Sequence, residues 1–240
     1  QAMLPYWTEQ WGNASSLYAL GRQASQALEE ARESVAEILN CTPKEVIFTS
    51  CGTESDNLAL RGVAFERQKR LKKNHIITSS IEHHAIGHTV EQLVKHFGFE
   101  ATFLPVDRFG LVDPAEVERA IRPETAIISV MHANNEVGTI EPIEAIGRIA
   151  RRHGVLLHTD AVQSAGKIPI DVDSLRVDLL SLAAHKLYGP KGVGALYIRS
   201  GIKLVPFVFG GGHELGLRPG TENISAIVGF GQACQVALRD

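Results

Sequence analysis

Cysteine is scarce in this chain of 240 residues, which holds only Cys41, Cys51 and Cys234. An odd count without close pairing argues against a disulfide framework and a cysteine-based zinc site, and it fits a reducing compartment. Long hydrophobic runs are lacking too. No apolar stretch approaches the roughly 18 residues that a bilayer span requires. No basic segment followed by a hydrophobic core marks a secretory signal. Charge of one sign is not in excess, with 24 Lys and Arg against 27 Asp and Glu. That balance offers no electrostatic footprint for nucleic acid. The densest basic stretch, Arg67 to Lys73, follows a helical pattern and reads as a solvated helix end. Internal repeats and low-complexity linkers are also missing. The expectation is a cytoplasmic globular protein with no metal, no membrane and no nucleic-acid partner.

The composition that remains, 44% hydrophobic and 21% charged, is that of a chain able to bury a full core. Leu28, Ala31, Val35 and Ile38 recur at helical spacing and predict a helix over 24–39. Glu29, Glu30, Arg32, Glu33 and Glu37 fall on its other side. Short apolar runs at 46–48, 75–78, 99–106, 126–131, 155–158, 177–182 and 194–198 read as strands. Helical patterns from Thr53 through Phe65 and over 84–97, 114–121, 142–152 and 226–238 lie between or after them. Strands that are apolar throughout, separated by helices, predict an α/β three-layer sandwich with a mostly parallel sheet covered on both faces.

Polar residues collect where such a sheet gathers ligands, after the C-terminal ends of strands. Cys51-Gly52-Thr53, Glu82-His83-His84, Asn134-Asn135-Glu136, Asp160 with Gln163, and His185-Lys186 all follow strand-like runs. Gly52 and Thr53 open a helix whose free N–H groups suit an anion, although Thr53 and Asp56 also read as a capping box. Asp160 at a buried strand mouth needs a partner, either a protonated ring nitrogen or the cap of a helix running through Val162. Gln163 would then share that helix face. Lys186, beside an apolar run, is a candidate Schiff-base lysine, with Lys191 five residues on as a rival. His83 offers a ring face or a proton relay, and His84 points elsewhere. An anion nest, a carboxylate, a ring face and a lysine together meet the needs of pyridoxal 5'-phosphate.

The motifs carry a family resemblance. Phe48-Thr49-Ser50-Cys51-Gly52-Thr53-Glu54-Ser55-Asp56-Asn57, Glu82-His83 and Met131 through Gly138 are the first of them. His158 through Ser164, Ala184 through Gly192, Gly210 through Glu214, and Arg218 through Asn223 follow in order. The chain resembles the NifS/IscS-like cysteine desulfurases, within the class V aminotransferase-like, fold-type I pyridoxal-phosphate enzymes. The resemblance covers essentially the whole chain and implies the large domain of that fold.

It implies that Gly52, Thr53 and His185 contact the cofactor phosphate, and that His83 stacks on the pyridine ring and moves protons. Asn134 would lie near the ring oxygen, Asp160 would pair with the pyridine nitrogen, and Gln163 would donate to the phenolate oxygen. Lys186 would carry the covalent Schiff-base link. Thr221 would reach the phosphate of a neighbouring subunit, implying a homodimer with shared active sites. The family takes sulfur from L-cysteine as an enzyme persulfide, releases alanine, and passes the sulfur to acceptors such as an iron–sulfur scaffold protein.

Three departures stand out. Ala183 occupies a position where the family usually has a phosphate-binding serine, and Cys51 one where serine or glycine is commoner. The family's persulfide-forming cysteine and substrate-binding arginine lie beyond Thr221, and neither has a match here. Residues 1–23 are expected to be a partial N-terminal segment, 24–225 the cofactor domain, and 226–240 the start of a helix leading to a further domain. Alternatives on the same fold are a selenocysteine lyase, a kynureninase-like enzyme, an aminotransferase, or a non-catalytic cofactor-binding homologue.

Overall fold

The computed structural model describes residues 1–239. Seven strands form one sheet: β1 (Val46–Thr49), β2 (His75–Ser79), β3 (Glu100–Leu104), β4 (Thr125–Ser129), β5 (Leu156–Asp160), β6 (Leu179–Ala183) and β7 (Gly194–Ile198). Their order is β1-β7-β6-β5-β4-β2-β3. β7 alone points opposite to the rest, so β1, β2, β3, β4, β5 and β6 all point the same way. The sheet is mostly parallel, as the apolar strands require.

Among the described residues eight α-helices accompany it: α1 (Pro5–Thr8), α2 (Ala19–Leu39), α3 (Gly52–Leu71), α4 (His84–Phe97), α5 (Pro114–Ala120), α6 (Ile143–His153), α7 (Val172–Leu175) and α8 (Ile224–Ala237). Alternation along the strands sorts the core into two layers. Ile127 of β4 and Leu156 of β5 pack with Leu58, Leu60 and Val63 of α3 and with Ile86 and Val90 of α4. Ile128 and Leu157, one residue on, face Val35 and Leu39 of α2, Val117 of α5, Ile146 of α6 and Phe230 of α8. This is a three-layer sandwich, with α3 and α4 on one face of the sheet and α2, α5, α6 and α8 on the other.

The departures from the sequence reading have local causes. The expected strand over 99–106 stops at Leu104 because Pro105 has no N–H for a ladder; Val106 bridges to Val112 instead. Helix α2 starts at Ala19, not at residue 24; its first turn buries only Gly21, so no apolar stripe marks it in the sequence. Arg32, placed on the polar side by its charge, is in fact 8% exposed. Its Nη1 and Nη2 each donate to Glu214 at 2.8 Å, and Nη1 also donates to the Val46 carbonyl. Gly231 lets α8 lie against α2, since a Cβ there would meet Ala31 Cβ at 2.9 Å.

Candidate functional site

The parallel strands deliver their C-terminal ends to one pocket of about 260 Å³. Helix α3 opens at its wall directly after β1. Cys51 is the N-cap residue but makes no side-chain cap bond, so the predicted capping box of Thr53 and Asp56 does not form. The first turn instead presents Gly52 and Thr53 to the cavity. Gly52 is required there: a Cβ would stand 2.7 Å from Val162 Cγ2. A 20-residue helix with an uncapped, pocket-facing N-terminus is a site suited to an anion.

The adjoining wall comes from β5 and β6. Asp160 ends β5 and is 6% exposed. The helix predicted through Val162 is absent; residues 161–167 form turns, and Asp160 Oδ1 accepts from the Val162 amide at 2.8 Å. Burial pushes the Asp160 carboxyl up, while His83 and Lys186 pull it down. Gln163 reaches the pocket from the turn, not from a helix face. After β6, a short 3₁₀ turn over Ala184–Leu187 carries His185 and Lys186. Lys186 lines the pocket and Lys191 does not, which separates the two rivals. Burial, then the nearby Lys186 and Lys191, holds the His185 imidazole below its ordinary value.

His83 is the N-cap of α4, and its Nδ1 accepts from the Ala85 amide at 3.1 Å. That bond leaves Nε2 to carry the proton of the neutral ring. His84 turns away and stacks on His88 at 4.8 Å. Behind His83, Glu82 Oε1 accepts from Ser79 Oγ and the Met131 amide, while its buried Oε2 has no partner. Burial pushes the Glu82 carboxyl up to about 8. An acid raised from about 4.5 to about 8 keeps its proton in the folded state where the unfolded chain has lost it. The parent therefore loses stability as pH rises through that window. Glu82→Gln is expected to gain stability relative to the parent from pH 4.5 to 8, with a plateau above. Melting temperatures at several pH values check this, and a difference independent of pH would contradict it.

Two of the expected residues, Asn134 and Thr221, do not line this pocket, and Thr221 was expected at a neighbouring subunit's site. Asn134 is buried beside the pocket with its amide fully used: Nδ2 donates to the Ile81 carbonyl, and Oδ1 accepts from the Glu136 and Val137 amides. Its neighbour Asn135 lines the cavity instead. Thr221 is exposed on the loop before α8 and does not reach the pocket. That loop is tied down by Arg218, which donates to Glu54 at 3.0 Å. Asp56, Met131 and Val162 also line the pocket without having been singled out as its residues. The available signal for Asp56 was an acid on the buried helical face of Ser55, Ala59, Leu60 and Val63.

The class that this fold and pocket define is shown by comparison with known proteins. Residues 1–238 match the model of the class-V aminotransferases, and the chain belongs to that family. Its sandwich is the large-domain architecture of fold-type I pyridoxal-phosphate enzymes. Within it, the chain is 52% identical over 238 residues to cysteine desulfurase IscS of Dictyoglomus turgidum, covering 99% of this chain and 60% of that protein. It is 53% identical over 240 residues to cysteine desulfurase IscS of Methanosarcina thermophila, covering all of this chain and 59% of that protein. Among solved structures, SspA in complex with cysteine superposes with a TM-score of 0.94 at 45% identity, covering 98% of this chain and 67% of that one. DndA from Streptomyces lividans superposes with a TM-score of 0.90 at 38% identity, covering 99% of this chain and 68% of that one. The chain thus spans about 60% of the length of the curated relatives it matches.

Proposed function

We propose that this chain forms the cofactor-binding part of a pyridoxal-phosphate-dependent cysteine desulfurase. The observation that carries this is the convergence of Lys186, Asp160 and the open N-terminus of α3 on one pocket. The residues fit the cofactor: the uncapped first turn of α3 presents Gly52 and Thr53 to the pocket, and the buried Asp160, which makes no ion pair among the described residues, suits a protonated ring nitrogen. When bound, pyridoxal phosphate supplies an electron sink for the substrate α-carbon. Gly52 and Thr53 would hold the phosphate with His185, and His83 would present its ring face. Gln163 would donate to the phenolate oxygen, and Lys186 would both bind the cofactor and move the α-proton.

The reaction balances without an outside oxidant: L-cysteine and an enzyme thiol give L-alanine and an enzyme persulfide. None of the three thiols here suits that nucleophilic role. Burial pushes Cys41 and Cys234 up to about 12, which suppresses their thiolates. Cys51 stands at the N-cap position of the helix that is assigned to the phosphate. The thiol is therefore assigned to residues outside this chain, as is the arginine for the substrate carboxylate. The further parts of this reading are a homodimer in which Thr221 serves the partner's phosphate, a cytoplasmic setting, and sulfur delivery to an acceptor such as an iron–sulfur scaffold. Among the described residues no helix is long and apolar enough to cross a membrane.

Adding pyridoxal phosphate to the full protein should raise a visible absorbance band, and L-cysteine should shift it while alanine and persulfide form. A protein that never develops the band, or that leaves L-cysteine intact, rules the activity out. Ala183 offers a finer test, because it lines the pocket close to Gly52 and contributes no hydroxyl. Ala183→Ser is expected to tighten cofactor binding about two- to tenfold, the worth of one added hydrogen bond. Titration of the band measures it; unchanged affinity would place the phosphate elsewhere.

A further inference from the structure

Asp56 sits one turn into α3, four residues after Gly52, and lines the same pocket. It is 1% exposed, and its Oδ1 has no hydrogen-bond partner. Among the described residues no lysine or arginine pairs with it. Its close titratable neighbour is His158 of β5, whose Nε2 is 3.7 Å from Oδ1. His158 is fully buried and its ring is clamped from both adjacent strands. Nδ1 lies 2.9 Å from Ser129 Oγ of β4, and Nε2 lies 2.9 Å from Ser181 Oγ of β6. His158 and Asp160, two residues apart on β5, share the sheet face that α3 covers.

The charge balance of this floor follows from its neighbours. Lys186 pulls the Asp160 carboxyl down, so a negative charge at Asp160 has a cation nearby. Asp56 faces Asp160, Glu82 and Cys51, none of which supplies a positive charge, and the hydroxyl of Ser181. His158 does not help, because burial pushes its imidazole down to about 3 and leaves it neutral. A second buried carboxylate here would be uncompensated, and such a charge takes up a proton instead.

We infer that Asp56 is a positioning residue for Asp160: held as a neutral acid beside the clamped His158 ring, it leaves the single negative charge of the pocket floor on the carboxylate that faces Lys186. The benefit of that charge rests on the cofactor reading above, since a ring nitrogen keeps its proton only beside an anion. The protonation itself does not depend on the cofactor.

Infrared difference spectra of the full apoprotein at pH 7, parent minus Asp56→Asn, test the protonation. The expected difference is the loss of one neutral carboxyl C=O band; loss of a carboxylate band overturns the inference. Cofactor titration then tests the role. Asp56→Ala should weaken pyridoxal-phosphate binding about tenfold, as loss of an outer-shell partner does, and Asp56→Asn should rescue it. Asp56→Asn should also leave the pH midpoint of the visible band unchanged, whereas a midpoint moved by a unit or more shows that a charge was removed and sinks the idea. Equal affinity in parent and Asp56→Ala removes the positioning role. A parent that binds no cofactor defeats the proposed function, while the infrared result still decides the protonation of Asp56.

Discussion

Replacing Lys186 by alanine is expected to abolish the visible cofactor band and to lower alanine release from L-cysteine by at least about a thousandfold. Two separate losses produce that figure. The covalent tether disappears, and with it the amine that would take the substrate α-proton; a positioned acid–base group alone is worth about 10²–10⁴ in rate. The fold should not suffer. Lys186 stands on a short turn after β6, half-buried, with its ammonium making no ion pair among the described residues. Its melting temperature should therefore stay close to the parent's, which separates lost chemistry from lost structure. Lys191→Ala is the matched control: it removes a lysine from the same loop but outside the pocket, and it should keep both band and activity. A Lys186→Ala protein that still forms the band would move the tether to another lysine.

The largest effect on stability is expected far from that lysine, at Arg32 and Glu214. Glu214 is 6% exposed and receives both Arg32 bonds together with the Phe48 amide at 2.6 Å. The guanidinium also lies 4.9 Å from the Phe48 ring centre. Glu214→Ala would take from the buried Arg32 its two-bond carboxylate partner, leaving it the Val46 carbonyl and the exposed Glu29, and would leave the buried Phe48 amide without its side-chain acceptor. Breaking such a pair from one side costs about 3–5 kcal/mol. At this chain length that corresponds to a fall in melting temperature of roughly 10 °C. The double replacement Arg32→Met with Glu214→Leu removes both charges and should recover much of the loss. Calorimetry on the parent, the single and the double variants checks both statements, and a single variant as stable as the parent would contradict them.

The pair also bears on the pocket. Glu214 and Leu215 hold left-handed backbone, with φ of 45° and 59°, a conformation that non-glycine residues adopt only when the surroundings impose it. Arg32 fixes the start of the loop at β1, and Arg218 fixes its middle at Glu54 in the first turn of α3. The loop that carries Thr221 is thereby anchored to the element that presents Gly52 and Thr53. Loss of Glu214 is expected to loosen cofactor binding as well as the fold.

Much of this was legible in the order of residues. Uniformly apolar strands between amphipathic helices dictate a buried, mostly parallel sheet, because only helices on both faces can cover such strands. The parallel sense in turn sends the polar residues after β1, β2, β4, β5 and β6 to one edge, which is why Gly52, His83, Asp160 and Lys186 read as one site. Spacing could not choose between Lys186 and Lys191, since both follow the same strand; only the 3₁₀ turn over 184–187 points one of them inward. Nor could it show that Asn134 is used up on its own loop, or that Arg32 leaves the polar face for a carboxylate 182 residues away. Those outcomes depend on which groups meet across the sheet, and a charge or an amide carries no mark of its partner in the local pattern. Asp56 is the clearest case. Its position on α3 made it a helix-capping residue by sequence, and only the packing of α3 against β5 set it beside His158, where burial decides its charge.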